Sequence, residues 1–193
     1  MSASRILVTG GSGFIGAALV KALVSRGEAV RVLDDHSRGS PRRLREVDVE
    51  LVHGDIRDPA AVDAAMQGIE EVHHLAFVNG TATFYSDPDL VLDVGVKGIV
   101  NVIDACRRRG IGRLILASSS EVYQSPPVVP TSERVPLVIP DPLNPRLSYG
   151  AGNHRRRPRT SHRRDRDLHR RRSGCGCLGS QLTISRPREP CPG

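Results

Sequence analysis

Between a short strand-like run at 6–9 and a helical stretch at 14–25, the chain places Thr9-Gly10-Gly11-Ser12-Gly13-Phe14-Ile15-Gly16. Gly10, Gly13 and Gly16 stand in a G-x-x-G-x-x-G spacing. A strand that feeds a helix through three glycines must turn sharply, and the missing side chains let backbone come close to whatever lies in the bend. The helix start, Phe14-Ile15-Gly16, offers free N–H groups and the positive end of a dipole, which suits a pyrophosphate. The strand before and helix after make the pattern specific; a ligand-free glycine turn is the alternative.

The same alternation continues along the chain. Runs rich in β-branched and aliphatic residues at 29–33, Glu50–His53, 71–75 and Arg113–Ala117 read as strands. Helices are expected from the Asp58-Pro59 start through 60–66, and from Asp87-Pro88 to about Arg109, with Gly27 and Gly110 as stops. Strand, helix and strand at this spacing imply parallel pairing with right-handed crossovers and helices on both faces. The expected fold is α/β, a doubly wound parallel sheet of the Rossmann kind. Residues 124–147 carry seven prolines and read as an ordered extended loop over the sheet edge.

Composition divides the chain at about residue 152. Residues 151–193 hold 12 arginines against 3 acidic residues, which leaves 16 basic and 18 acidic residues before them. The net charge of +7 therefore comes from the tail. Few aliphatic residues and no periodicity predict a disordered Arg/Pro-rich segment at 153–193, beside a dinucleotide-binding domain at 1–152. Cys106 alone lies in the domain, while Cys175, Cys177 and Cys191 lie in the tail. That usage fits a reducing compartment, and with no leader-like or spanning apolar run the expectation is a cytoplasmic protein without a membrane partner. The tail arginines suit salt-sensitive phosphate contacts, but no aromatic accompanies them, so no specific nucleic-acid partner is expected. Its Cys and His spacing fits no standard zinc site, and no metal is expected.

Asp34 ends the second predicted strand 18 residues after Gly16. A carboxylate there can accept both adenosine ribose hydroxyls and repels a 2′-phosphate, favouring NAD over NADP. Asp35 follows it, and Arg38, Arg42 and Arg43 come soon after as groups able to accommodate a phosphate. The alternative is that Asp34 and Asp35 merely open a polar loop.

These residues, together with Gly54-Asp55-Ile56-Arg57-Asp58, His74-Leu75-Ala76, Val96-Lys97-Gly98 with Asn101, the stretch Ala117 to Tyr123, and Ser148-Tyr149-Gly150, come in one order. In that order the chain resembles the extended short-chain dehydrogenase/reductase family, in particular its NAD-dependent epimerase/dehydratase members, over about residues 5–152. The resemblance implies that NAD is the cofactor, that Asp55 and Ile56 flank the adenine, and that Leu75 and Ala76 line the dinucleotide. It gives Ser119, four before Tyr123, a hydrogen bond to a substrate sugar hydroxyl. Glu121 takes the acid/base position used in dehydratases and decarboxylases, and Tyr149 is the proton-abstracting base. Ser120 stands where many 4,6-dehydratases have Asp, which weighs against dehydration. A serine cluster that simply ends a strand is the alternative for 118–120. The implied partners are a nucleotide-sugar substrate and a second copy of the chain through the 87–109 helix.

One departure matters. In that family a lysine four residues after the tyrosine lowers the tyrosine pKa and holds the nicotinamide ribose, and position 153 is Asn. Asn153-His154-Arg155 must be encoded AAY-CAY followed by CGN or AGR. Read one base later, those codons give two successive residues that can only be Ile or Thr. A frame change near codon 153 is therefore the hypothesis for the abrupt tail. The alternative frame in the coding DNA should lack stops and carry strand and helix patterning. The expected function is an NAD-dependent nucleotide-sugar epimerase acting through a 4-keto sugar, impaired in this chain. A nucleotide-sugar decarboxylase and a non-catalytic NAD(P)-binding protein are the alternatives.

Overall fold

The structure, a computed structural model, describes residues 5–136, 138–141, 143–154 and 179–183. Strand β1 (Arg5–Thr9) runs through the glycine turn into helix α1 (Phe14–Ser25), then β2 (Ala29–Asp34) and β3 (Glu50–His53). Helix α2 (Pro59–Ala65) returns the chain to β4 (Glu71–His74). Next come α3 (Thr81–Ser86), α4 (Pro88–Leu92), a π-helical segment (Asp93–Gly98), α5 (Ile99–Arg109) and β5 (Arg113–Ala117). Helix α6 (Ser148–His154) and β6 (Gly179–Thr183) complete the described elements.

Strand order is β3-β2-β1-β4-β5-β6. The first five strands are parallel, as expected for α/β crossovers. Where both sheet faces are covered, consecutive strand residues are apolar, as in Ile6-Leu7-Val8, Val32-Leu33 and Leu114-Ile115-Leu116, whereas β3 and β4 keep Glu50, His53, Glu71, His73 and His74. On one face Leu7, Leu33, Val72 and Leu114 pack against α2 and α5. On the other, Ile6, Val8, Val30 and Val32 pack against α1. Cys106 sits in the first of these cores, and burial pushes its thiol up to about 12. Among the described residues, no helix is long and apolar enough to cross a membrane.

The local signals act as their chemistry predicts. The Asp58 carboxylate accepts from the Ala60 N–H at 2.9 Å and starts α2, with Pro59 at its first position. Asp87 caps α4 in the same way through the Leu90 N–H at 3.0 Å. Gly110, at φ +65°, ends α5 behind three arginines whose charges suit the negative end of the helix.

Three features depart from the sequence reading. The single helix expected from 87 to 109 is interrupted by the π-helical segment. Its wider turn carries Gly95 and Gly98 against Phe77 and Ile56, where a side chain would collide. Helix α3 was not expected, because only Phe84 of its six residues is buried and no apolar period announces it. The tail, read as having no ordered element, supplies β6, which pairs antiparallel with β5 from Arg113↔Thr183 to Ala117↔Gly179. Sheet-edge pairing uses backbone N–H and C=O groups, so it needs no apolar pattern in the added strand. The arginine runs, Cys175, Cys177 and Cys191 lie outside the described residues.

Candidate active site

In this strand order the chain leaves β1 to one side through α1 and returns to β4 on the other, which opens a crevice at the strands' C-terminal ends. A cleft of about 480 Å³ lies there. It gathers Gly10, Gly13, Phe14, Ile15 and Gly16 from the turn, Asp34 and Asp35 from the end of β2, and Asp55 and Ile56 from beyond β3. Leu75 and Ala76 from the end of β4 and Tyr149 from α6 complete the sequence-predicted set within it.

The glycines are needed for space as well as for turning. Gly10 has φ +70°, and a Cβ built there would lie 2.8 Å from the Ala76 Cα and N. A Cβ on Gly16 would lie 2.1 Å from the Gly10 carbonyl oxygen, and one on Gly13 3.1 Å from it. Helix α1 begins with no side-chain cap and no acidic residue in its first turn. Its first turn, Phe14-Ile15-Gly16, therefore has no local carboxylate and lines the cleft with the positive end of the helix. Beneath the turn, Thr9 Oγ1 shares a hydrogen bond of 2.7 Å with His74 Nδ1 and accepts from the Ala76 N–H at 3.3 Å. That ties the ends of β1 and β4 together at the crevice.

Asp34 is held by backbone. The Ser12 N–H donates to its Oδ2 at 2.9 Å and the His36 N–H to its Oδ1 at 2.8 Å. Each oxygen keeps a further lone pair, enough for a vicinal diol. The loop after β2 is strapped to the glycine turn, because the Ser12 carbonyl accepts from the Ser40 N–H at 2.9 Å and from Arg43 Nη1 at 3.1 Å. Gly39 makes this possible, since a Cβ there would lie 2.1 Å from Ser12 Oγ. Asp55 is gripped by Arg57, whose Nε and Nη2 both donate to Oδ2, at 2.8 and 2.6 Å. That hydrogen bonding holds the Asp55 carboxyl below the usual carboxylate range.

At the far end of the cleft, Tyr149 stacks on Phe84 at 5.3 Å and meets the edge of Phe77 at 4.8 Å. Ala117 and Ser118 also line this end. Ser119 and Glu121 lie beside the lining rather than in it. Ser119 Oγ accepts from the Glu121 N–H at 3.2 Å and caps a short 3-10 turn. Glu121 Oε1 accepts from Arg146 Nη2 at 3.2 Å, and that guanidinium lies 5.1 Å above the Phe84 ring. Ser118, the one serine of the 118–120 cluster in the lining, has its Oγ buried without a hydrogen-bond partner. Asn153 follows Tyr149 by one turn of α6.

The sequence reading missed Gly39, Phe77, Ser118 and Arg146. Gly39 and Phe77 had a usable signal, each lying a few residues beyond the C-terminal end of a strand, where parallel sheets place ligands. The Arg146–Glu121 contact spans 25 residues and had none.

A profile of the NAD dependent epimerase/dehydratase family matches residues 6–154. UDP-glucuronic acid decarboxylase 1 of Xenopus tropicalis is 32% identical over 152 residues, covering 77% of this chain and 34% of that protein. UDP-glucose 4-epimerase of Mycolicibacterium smegmatis is 36% identical over 159 residues, 77% of this chain and 47% of that protein. The crystal structure of UDP-glucose 4-epimerase from Brucella ovis in complex with NAD superposes with a TM-score of 0.70 at 31% identity, over 79% of this chain and 45% of that one. The chain thus spans a third to a half of the length of these relatives.

Proposed function

The chain belongs to the NAD dependent epimerase/dehydratase family, and on that premise we propose that it is the dinucleotide-binding part of a nucleotide-sugar 4-epimerase whose own turnover is impaired. The observation that carries this is the continuous cleft from the glycine turn, past Asp34, to Tyr149. Gly10, Gly13, Phe14, Ile15 and Gly16 would cradle the pyrophosphate. Asp34 would take the adenosine ribose hydroxyls, with Asp35, Asp55 and Ile56 around the adenosine and Leu75 and Ala76 along the dinucleotide. The fit is supported by the glycine cradle, which any Cβ would fill, and by the uncapped start of α1. When bound, NAD supplies a hydride acceptor for C4 of the sugar, leaving a 4-keto sugar.

The side chains of this domain would orient the sugar and move its proton. Tyr149, fixed between two phenylalanine rings, would take the proton from the C4 hydroxyl, with a hydroxyl of the 118–119 pair bonding the same oxygen. A tyrosine is a weak base at neutral pH without a cation beside it. With Asn153 in the lysine position, the 193-residue chain should bind NAD and turn over negligibly. A second reading, a nucleotide-sugar decarboxylase, is favoured by Glu121, held by Arg146 beside the tyrosine end of the cleft. A purely NAD-binding protein is the third; the joint presence of Ser119, Glu121 and Tyr149 weighs against it. Pairing of two copies through α4 and α5 is part of the proposal, supported by the exposed Leu92 and Val100 on those helices. So is a cytoplasmic location, which suits the free Cys106.

A chimaera tests these points together. Residues 1–152 would be joined to the remainder of the Mycolicibacterium relative, starting at its counterpart of position 153. The account expects a dimer by sedimentation that interconverts UDP-glucose and UDP-galactose. A folded, NAD-bound chimaera that releases carbon dioxide from UDP-glucuronic acid would favour the decarboxylase, and one inert towards both sugars would leave only the binding role.

A further inference from the structure

His36 stands immediately behind the carboxylate that meets the adenosine ribose. Its backbone sits at φ +58°, a left-handed conformation that non-glycine residues rarely hold. The strain is matched by three contacts. The His36 N–H donates to Asp34 Oδ1, its ring Nδ1 lies 3.5 Å from that same oxygen, and Nδ1 is 3.1 Å from Ser12 Oγ. The Asp34 side chain is only 5% exposed, so its charge is poorly screened by water. The imidazole, 25% exposed, can exchange a proton with solvent.

The other charges around this corner are few. Arg38 and Arg43 line the cleft beside Asp34, and Arg43 is anchored to the Ser12 carbonyl. Asp35 is turned onto the Ser37 N–H and hydroxyl at 2.9 and 2.7 Å, and Asp55 is matched by Arg57. The His53 ring lies 5.3 Å from that of His36. Asp34 is therefore the anion that decides what the ribose 2′ position tolerates, and His36 is the titratable group touching it.

We propose that His36 sets dinucleotide selectivity through Asp34. With a neutral imidazole the unscreened charge of Asp34 rejects a 2′-phosphate, and the cleft takes NAD. With a protonated imidazole the Asp34–His36 pair carries no net charge, Arg38 and Arg43 outnumber the one remaining carboxylate of the corner, Asp35, and NADP is admitted. His36 is a specificity-determining residue that acts from behind the site, without lining it. This rests on the dinucleotide reading above.

Imidazole changes charge between about pH 5 and 8, which makes the proposal testable without altering the chain. Calorimetric titrations of NAD and NADP would be run at about pH 8.5 and about pH 6, on the 193-residue chain and on His36→Asn. Asparagine tolerates the left-handed backbone and carries no charge. NAD affinity should differ by no more than about twofold across pH and between the two proteins, since the ribose hydroxyls meet the same Asp34 oxygens in all four cases. NADP affinity should rise about tenfold towards the lower pH in the unaltered chain, the scale set by removing one unit charge a few ångströms away. A phosphate monoester gains its own second proton near pH 6, which weakens repulsion in either protein, so His36→Asn should keep only about a threefold rise. An equal NADP gain in both proteins would overturn the proposal, as would no gain in the unaltered chain while NAD still binds. If NAD fails to bind the unaltered chain at the higher pH, the dinucleotide reading itself falls. If only His36→Asn loses NAD, the comparison passes to His36→Gly, and loss there too means that His36 is needed to hold Asp34, which also overturns the proposal.

Discussion

Gly16 shows how one residue can carry the fold and the site at once. A methyl there would collide with the Gly10 carbonyl oxygen at 2.1 Å and press on the Gly11 Cα at 2.8 Å, both backbone atoms that cannot swing aside. Gly16→Ala should therefore destabilise the domain by about 3 kcal/mol, near the upper end for a single substitution. For a chain of this size that is a fall of about 10 °C in Tm. Differential scanning calorimetry checks it, and a loss below about 2 °C would mean that the turn opens more easily than its packing implies. At this scale the sequence was readable wherever chemistry is local. Gly10, Gly13, Gly16 and Asp34 act through their own backbone or one neighbouring strand. It was unreadable where contact is made across the fold, as in the Arg146–Glu121 pair, 25 residues apart, and the approach of the His36 ring to Ser12, 24 residues apart. The assignment of sugar contact to Ser119 came from resemblance, and its hydroxyl caps the Glu121 turn while Ser118 faces the cleft.

Among the elements, the π-helical segment ties the cleft's two ends together. It places Gly95 where a Cβ would lie 2.7 Å from the Phe77 ring and 3.6 Å from the Gly152 Cα of α6. The end of the Phe77 ring thus abuts two adjoining glycine backbones, with its neighbour Tyr149 held edge-on. In Gly95→Ala, better helix propensity contributes about 1 kcal/mol and overpacking costs about 1–3 kcal/mol, so stability moves little. The tyrosine geometry should move more. The chain has no tryptophan and three tyrosines, so the near-ultraviolet circular dichroism should lose much of its tyrosine band. An unchanged band would show that Phe77 and Tyr149 do not depend on this slot. The central strands and α1 were legible from apolar runs and glycine stops, because burial on two sheet faces demands consecutive apolar residues, as in Ile6-Leu7-Val8. The π segment and α3 were not, since each is shaped by the side chains it packs against rather than by its own composition.

The whole molecule joins an ordered α/β unit, mildly acidic in sequence, to a segment that holds 12 of the 28 basic residues. The charge asymmetry is visible in composition alone, and the family profile ends at residue 154. Composition did not reveal β6, because an edge strand is recruited by the open backbone of β5 and needs little from its own side chains. The relatives continue for as much length again or more, and in the function proposed above this cleft is the part that would bind the dinucleotide and offer the tyrosine. That claim depends on the amides of the glycine turn and the Asp34 carboxylate acting on one ligand. Its most direct test is isothermal calorimetry of NAD into the 193-residue chain and into Asp34→Ala. The account predicts one site per chain, weakened about tenfold or more when the two hydroxyl contacts are removed. Absence of heat with the folded, unaltered chain, or equal affinity in Asp34→Ala, would contradict it.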